Sequence, residues 1–289
     1  MKRILYTLAV GKPKFAEMAM GLGRSLSLIG DDTERVVVTD QGGYDWHRYF
    51  KQVLEPEDPL EWIFFSKLTA LARTDADQVL FVDGDSLAFK RLGPIFDYCA
   101  GSGFAVQGIM QSDGDWYGDL ASHCRRHDVD ALPRFNGGMI YYERGSEPFI
   151  EKCYEYGRRA VELGFQRDDP LIPDEPCIAL AMVKERYGLL VPETMDFTNT
   201  AVGLVGKLRM DVLRGECRYV CRRYDLRYVE PTIFHASRYG SFLVYWRQLA
   251  RLEALERYED RHGYGYMSPW QKLRRSLERR YLRYVARKL

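Results

Sequence analysis

The chain predicts an α/β fold, with helices on both faces of a sheet, and three observations carry that prediction. Short runs of β-favouring residues alternate with longer stretches of helical apolar spacing, the order of a sheet whose crossovers are helices. A length of 289 residues with 46% apolar composition is enough to bury one sizeable core. The third observation is VLFV, residues 79–82, which runs straight into Asp83, Gly84 and Asp85. A buried strand that ends in two carboxylates places them at the carboxyl edge of the sheet, where such folds bind ligands.

Each element follows from its own pattern. Ile4 to Leu8 is a first strand. Phe15, Met18, Ala19, Leu22, Leu26 and Ile29 recur at helical spacing and stop at Gly30. Val36, Val37 and Val38 dominate a second strand over 35–39, the stretch 59–73 reads as a helix, and VLFV follows as a strand. Further strands are expected at 103–107 and 138–142, helices at 147–163 and 174–187, and short strands at 189–191 and 232–234. The stretch 192–231 is hard to assign. The turn-rich HGYGYMSP precedes a final helical stretch, 270–289, so two units are expected: a catalytic domain over 1–265 and a C-terminal helix over 266–289.

Composition narrows the function. A net charge of +1 from balanced totals argues against a dedicated nucleic-acid binder. The opening MKRILYTLAVGKPKF has too short an apolar run, and no small-residue cleavage site, to read as a secretory signal. No window approaches the roughly 18 apolar residues of a membrane span. Six scattered cysteines in a chain of this size read as reduced thiols, which points to a cytoplasmic location. His123, Cys124 and His127 have helical metal-ligand spacing, but Arg125 and Arg126 between them favour a solvated face.

Asp83 and Asp85 are hard oxygen ligands suited to Mg²⁺ or Mn²⁺. An ion held by two carboxylates keeps positions open for phosphate oxygens, so a nucleotide diphosphate is a natural ligand. Solvated turn aspartates are the plain alternative, since Asp and Gly are ordinary turn residues. Haloacid-dehalogenase-type phosphatases also place Asp-x-Asp after an apolar strand, one carboxylate acting as nucleophile. Their glycine follows the second aspartate and their strand is the first of the sheet, whereas here glycine lies between the aspartates and the strand is at least the third.

The ordered set FFSKLTALARTDADQVLFVDGDSLAFKRLGPIFD, FNGGMIYYE, DEPCIALAM and IFHASR resembles glycosyltransferase family 8, which includes glycogenin and the bacterial lipooligosaccharide galactosyltransferases. FAEMAMGLGRSL behind TLAVG is similar to that family's first helix, so the resemblance spans roughly residues 3–240. It implies a GT-A fold, a Rossmann-like mixed sheet flanked by helices, and transfer of a hexose from a UDP-sugar to a glycan or glycolipid hydroxyl with retention of configuration. Asp83, Asp85 and His235 would hold Mn²⁺ or Mg²⁺, and a neutral imidazole suits that role. Leu8, Ala9, Gly84, Gly137 and Ser237 would line the donor site, and Lys67 would offset phosphate charge. Asn136 would hydrogen-bond sugar hydroxyls beside glycines that let the backbone approach closely, although Asn-Gly is also a strong turn former. Asp174 and Glu175 would stand near the anomeric carbon, where a carboxylate can stabilise a cationic transition state. Helix capping is the plain alternative for that acidic pair.

Two departures from the family pattern matter. Glutamate occupies position 175 where glutamine is usual, and HASRYGSF lacks the lysine that follows the family's histidine. Arg238 is the substitute for that phosphate clamp. Without a clamp, a non-catalytic protein that binds sugar nucleotides stays an alternative. The segment 268–289 carries eight basic side chains opposed by Glu278 alone, with Trp270, Leu273, Leu277, Tyr281 and Val285 along one stripe. Such a helix suits the surface of an anionic membrane and implies a peripheral place at the inner face. A helix packed on the domain, with its arginines in water, is the alternative.

Overall fold

The computed structural model describes residues 1–165, 170–237 and 243–261. Arg238 and the basic segment 266–289 therefore lie outside the described residues, and with them the expected phosphate clamp and C-terminal helix. The strands of the central sheet are β1 (Arg3–Ala9), β2 (Glu34–Thr39), β3 (Gln52–Leu54), β4 (Gln78–Val82), β6 (Phe104–Gln111), β7 (Leu132–Glu143) and β8 (Leu189–Pro192), while β5 (Ser86–Ala88) belongs to a smaller sheet. They form one seven-stranded sheet in the order β3-β2-β1-β4-β7-β6-β8. Only β7 runs against its neighbours β4 and β6; every other pairing is parallel. The result is a mixed α/β fold whose central sheet is mostly parallel.

Alternation along the strands sends successive side chains to opposite faces. On one face Tyr6, Val79, Phe81, Ile140 and Tyr142 pack against Phe149, Ile150 and Cys153 of α5 (Glu147–Arg158) and Cys177 to Met182 of α6 (Asp174–Glu185). On the other, Leu5, Leu80, Val82 and Met139 pack against Leu22 and Leu26 of α1 (Pro13–Leu28) and Ile95, Phe96 and Cys99 of α3 (Gly93–Cys99). Because both faces are covered, β4 is buried at every position and reads as an unbroken apolar run. All six cysteines are buried free thiols.

Several stretches differ from the sequence reading; β3 and α3 are not expected from it, and three differences are larger. The expected helix over 59–73 is instead two 3₁₀ turns, Leu60–Trp62 and Ser66–Leu68, followed by α2 (Ala70–Arg73). Its amides bond three residues back, as in Phe65 N to Trp62 O at 2.7 Å and Leu68 N to Phe65 O at 2.9 Å. Side-chain bonds from Ser66 Oγ to Asp58 and from Thr69 Oγ1 to Ser66 O, 2.6 and 2.8 Å, compete with an α-helical path. The unassigned stretch 192–231 supplies β9 (Thr198–Asn199) and the small sheet β10 (Leu204–Asp211), β11 (Glu216–Cys221) and β12 (Tyr228–Val229). α7 (Leu243–Arg261), absent from the sequence reading, lies on α1: a Cβ at Gly21 would come within 2.2 Å of Leu249 Cδ2. Among the described residues, no helix is long and apolar enough to cross a membrane.

Candidate functional site

The chain leaves β4 at Val82, turns through Asp83, Gly84 and Asp85, and re-enters a second sheet as β5. That sheet, β5-β13-β9, brings the distant β13 (Ile233–His235) alongside the turn. β13 pairs antiparallel with β5, setting His235 opposite Ser86, and Ala236 N bonds Asp85 O at 2.9 Å. The aspartate turn is tied on its other flank by Asp83 N to Gly138 O at 3.0 Å. Glycine at 84 is a packing requirement: a Cβ there would stand 2.8 Å from Leu8 O and 3.4 Å from Ala19 Cβ.

His235 Nε2 consequently lies 3.1 Å from Asp85 Oδ1 and 3.3 Å from Asp83 Oδ2. Among the described residues this trio is the one group of three potential ligands, each offering an atom within 4.8 Å of the others. An octahedral Mg²⁺-like ion with bonds of about 2.1 Å sets neighbouring ligand atoms about 3 Å apart. The donor set fits, and the three residues can hold a metal ion. In the metal-free chain, burial opposes a charge on His235, but Asp85 and Asp83 outweigh burial and raise its pKa to about 9. Burial raises the pKa of Asp83, and the neighbouring Asp85 and Asp174 add to that effect against Lys67 and His235.

Beside the trio lies a distortion of β7. Pairing with β6 jumps from Val106↔Ile140 to Gly108↔Phe135, so Asn136, Gly137 and Gly138 leave the β6 ladder. Bulges of this kind re-aim side chains beside functional sites. Gly137 N donates to Glu175 Oε1 at 2.8 Å, and Gly137 O accepts from Lys67 Nζ at 3.2 Å. Lys67 also pairs with Asp174 Oδ2 at 2.8 Å, both side chains about 95% buried. The first turn of α6 is thereby clasped to the bulge. Burial disfavours the Lys67 ammonium, but Asp174, Asp83 and Glu175 overcome it and raise its pKa. The pKa of Glu175 is raised by burial and by Asp174, against hydrogen bonds from Gly137 and the Tyr117 hydroxyl.

These groups line one cavity of about 310 Å³. Of the residues expected to act on a donor, Leu8, Lys67, Asp83, Gly84, Asp85, Asn136, Gly137, Asp174, Glu175, His235 and Ser237 all reach it. Ala9 does not: it is fully buried under α1, and its carbonyl accepts from Thr39 Oγ1 at 2.8 Å. Lys67 is held by Asp174 and Gly137 rather than free in the cavity, and the amide oxygen of Asn136 is occupied by protein donors.

Sequence reasoning missed three aromatic lining residues, Phe15, Phe64 and Tyr117. Phe64 stands three residues before Lys67, a spacing that placed it within reach. Tyr117 arrives on an irregular loop and carries no comparable signal. The same loop corrects the reading of His123 as solvated: on α4 (Leu120–His127), His123 is 7% exposed, and its Nε2 bonds Tyr117 O at 3.0 Å. His127 bonds Leu163 O, also at 3.0 Å. Comparison with protein-family models and with curated proteins finds no match to this chain.

The raised pKa of Glu175 has a measurable consequence. A carboxyl whose folded pKa exceeds its unfolded value of about 4.3 weakens the fold above that pH, because folding must desolvate the charge. Glu175→Gln retains an acceptor for Gly137 N and removes that charge. In EDTA at pH 7 its melting point should exceed that of the parent, because the variant no longer has that charge to desolvate. The difference should shrink as pH falls from the raised folded value and be closed near the unfolded value of about 4.3. A gap unchanged between pH 7 and pH 4 contradicts the assignment.

Proposed function

We propose that the chain is a metal-dependent hexosyltransferase of GT-A type that takes a UDP-sugar as donor and a glycan or glycolipid hydroxyl as acceptor, with retention of configuration. The observation that carries this reading is the convergence, on one cavity, of a trio able to hold a metal ion and a second acidic pair. Mn²⁺ or Mg²⁺ bound by Asp83, Asp85 and His235 would supply Lewis-acid neutralisation of a diphosphate leaving group. Asp174 and Glu175 line the same cavity, where carboxylates would stabilise a sugar that develops positive charge. Lys67 holds Asp174 in place and contributes its own charge near the phosphates. Gly137 offers no side chain, and a Cβ there would lie 3.0 Å from Lys67 Nζ and 3.1 Å from Asp174 Oδ2, so the backbone lies close to both. The aromatic residues Phe15, Phe64 and Tyr117 supply apolar surface around these polar groups.

A panel of UDP-sugars incubated with the chain and Mn²⁺ tests the reading without knowledge of the acceptor. Slow UDP release from one donor, abolished by EDTA, is the expected result. Phosphate release from simple monoesters without a sugar nucleotide would instead mark a phosphatase, and donor binding without turnover a non-catalytic binder.

A further inference from the structure

Two contacts of Asn136 determine how His235 can bind a metal. Gly138 N–H, which can only donate, points at Asn136 Oδ1 from 3.0 Å. That contact orients the amide, since the reverse orientation would set two donors against each other. The same oxygen lies 2.7 Å from His235 Nδ1. An amide oxygen only accepts, so Nδ1 carries a proton, and in the neutral ring the lone pair sits on Nε2. Nε2 is the atom that faces Asp83 and Asp85. The fit leaves the ring little room to turn: a Cβ on Gly138 would stand 2.2 Å from Nδ1 and 2.4 Å from Cε1, and His235 is 4% exposed.

We propose that Asn136 is a positioning residue for the metal site, its oxygen holding the imidazole of His235 in the Nδ1–H tautomer with Nε2 presented to the ion. The inference rests on the metal trio of the proposed function but not on the sugar donor. It changes what Asn136 has left for substrate, because only the NH₂ of the amide remains uncommitted to Gly138 and His235. The oxygen serves the histidine, and through it the ion.

The test compares Asn136→Ala, which removes the acceptor, with Asn136→Asp, which keeps one. Mn²⁺ affinity is read from the free-ion signal in electron paramagnetic resonance. Each protein is also loaded with diamagnetic Mg²⁺, and the ring nitrogens are followed in ¹⁵N-histidine spectra. There are only five histidines, and His235→Asn assigns the relevant signal. Circular dichroism melts confirm that each variant is folded. Loss of an outer hydrogen-bond partner to a ligating histidine typically costs 10–100-fold in metal affinity. N136A should lose about that much, together with the slowly exchanging Nδ1–H of His235, whereas N136D should stay within about threefold of the parent and keep the signal. N136A that binds Mn²⁺ within twofold of the parent overturns the proposal, as does an equal loss in both folded variants. Neither readout uses a sugar nucleotide, so a failed donor screen leaves this result interpretable.

Discussion

Asp85→Asn should abolish Mn²⁺-dependent UDP release while leaving the fold intact. The substitution preserves shape and removes the anionic oxygen that lies 3.1 Å from His235 Nε2. It leaves Asp83 and His235 as a two-ligand remnant, and a neutral amide is a poor exchange for a carboxylate at a hard cation. Removing one group that stabilises developing charge typically costs 10²–10³ in rate, and the loss of a direct ligand should reach at least that range. The parent should also gain about 2.7 kcal/mol of stability at a Mn²⁺ concentration 100 times its Kd. D85N should gain almost nothing at the same concentration. Melting curves with and without Mn²⁺, alongside UDP release, check both halves. A variant that still melts higher in Mn²⁺ by the parental margin would show that the ion binds elsewhere.

Gly138→Ala carries the second large effect, and it acts through packing rather than charge. The added methyl would overlap the His235 ring, at 2.2 and 2.4 Å, and approach Asn136 Oδ1 at 2.8 Å. The ring is buried, and Gly138 O is hydrogen-bonded to Asp83 N in the aspartate turn, so neither side yields cheaply. Overpacking of this kind costs about 1–3 kcal/mol. The variant should therefore unfold at lower denaturant with an unchanged slope, and its Mn²⁺ affinity should fall by more than tenfold as Nε2 swings out of place. Urea melts and a Mn²⁺ titration measure the two losses. Wild-type affinity in a variant that folds would mean that the close approach at Gly138 does not position the ligand.

Much of the lining of this cavity is legible in the sequence. Asp83 and Asp85 stood out because a fully buried strand has nowhere to put charge except its end, and the topology then delivers that end to the ligand-binding edge. His235 was legible only as part of an ordered set of segments, because β13 is three residues long and reaches the aspartates through pairing with β5. Glycines 84, 137 and 138 could be read as permissive backbone, but the groups that crowd a Cβ there come chiefly from far away in sequence: Leu8 O of β1 at Gly84, Lys67 and Asp174 at Gly137, and the His235 ring at Gly138. Tyr117 and the role of the Asn136 oxygen were illegible for the same reason: both depend on which polar atoms meet across long separations. The break in the expected helix over 59–73 follows from local side-chain bonds that compete with the helical ladder, while apolar spacing there still looks helical. The small sheet at 204–229 escaped because β12 is two residues long and β10 is not buried at any position, although β11 does alternate between exposed and buried residues.

Anomalous diffraction from crystals grown with Mn²⁺ and UDP is the most direct measurement of the central claim. A single strong peak about 2.1–2.2 Å from a carboxylate oxygen of Asp83, one of Asp85 and Nε2 of His235, with diphosphate oxygens completing the shell, is the predicted result. A peak that lacks any one of those three side chains, or UDP bound in the cavity with no ion between it and the aspartates, would contradict the account.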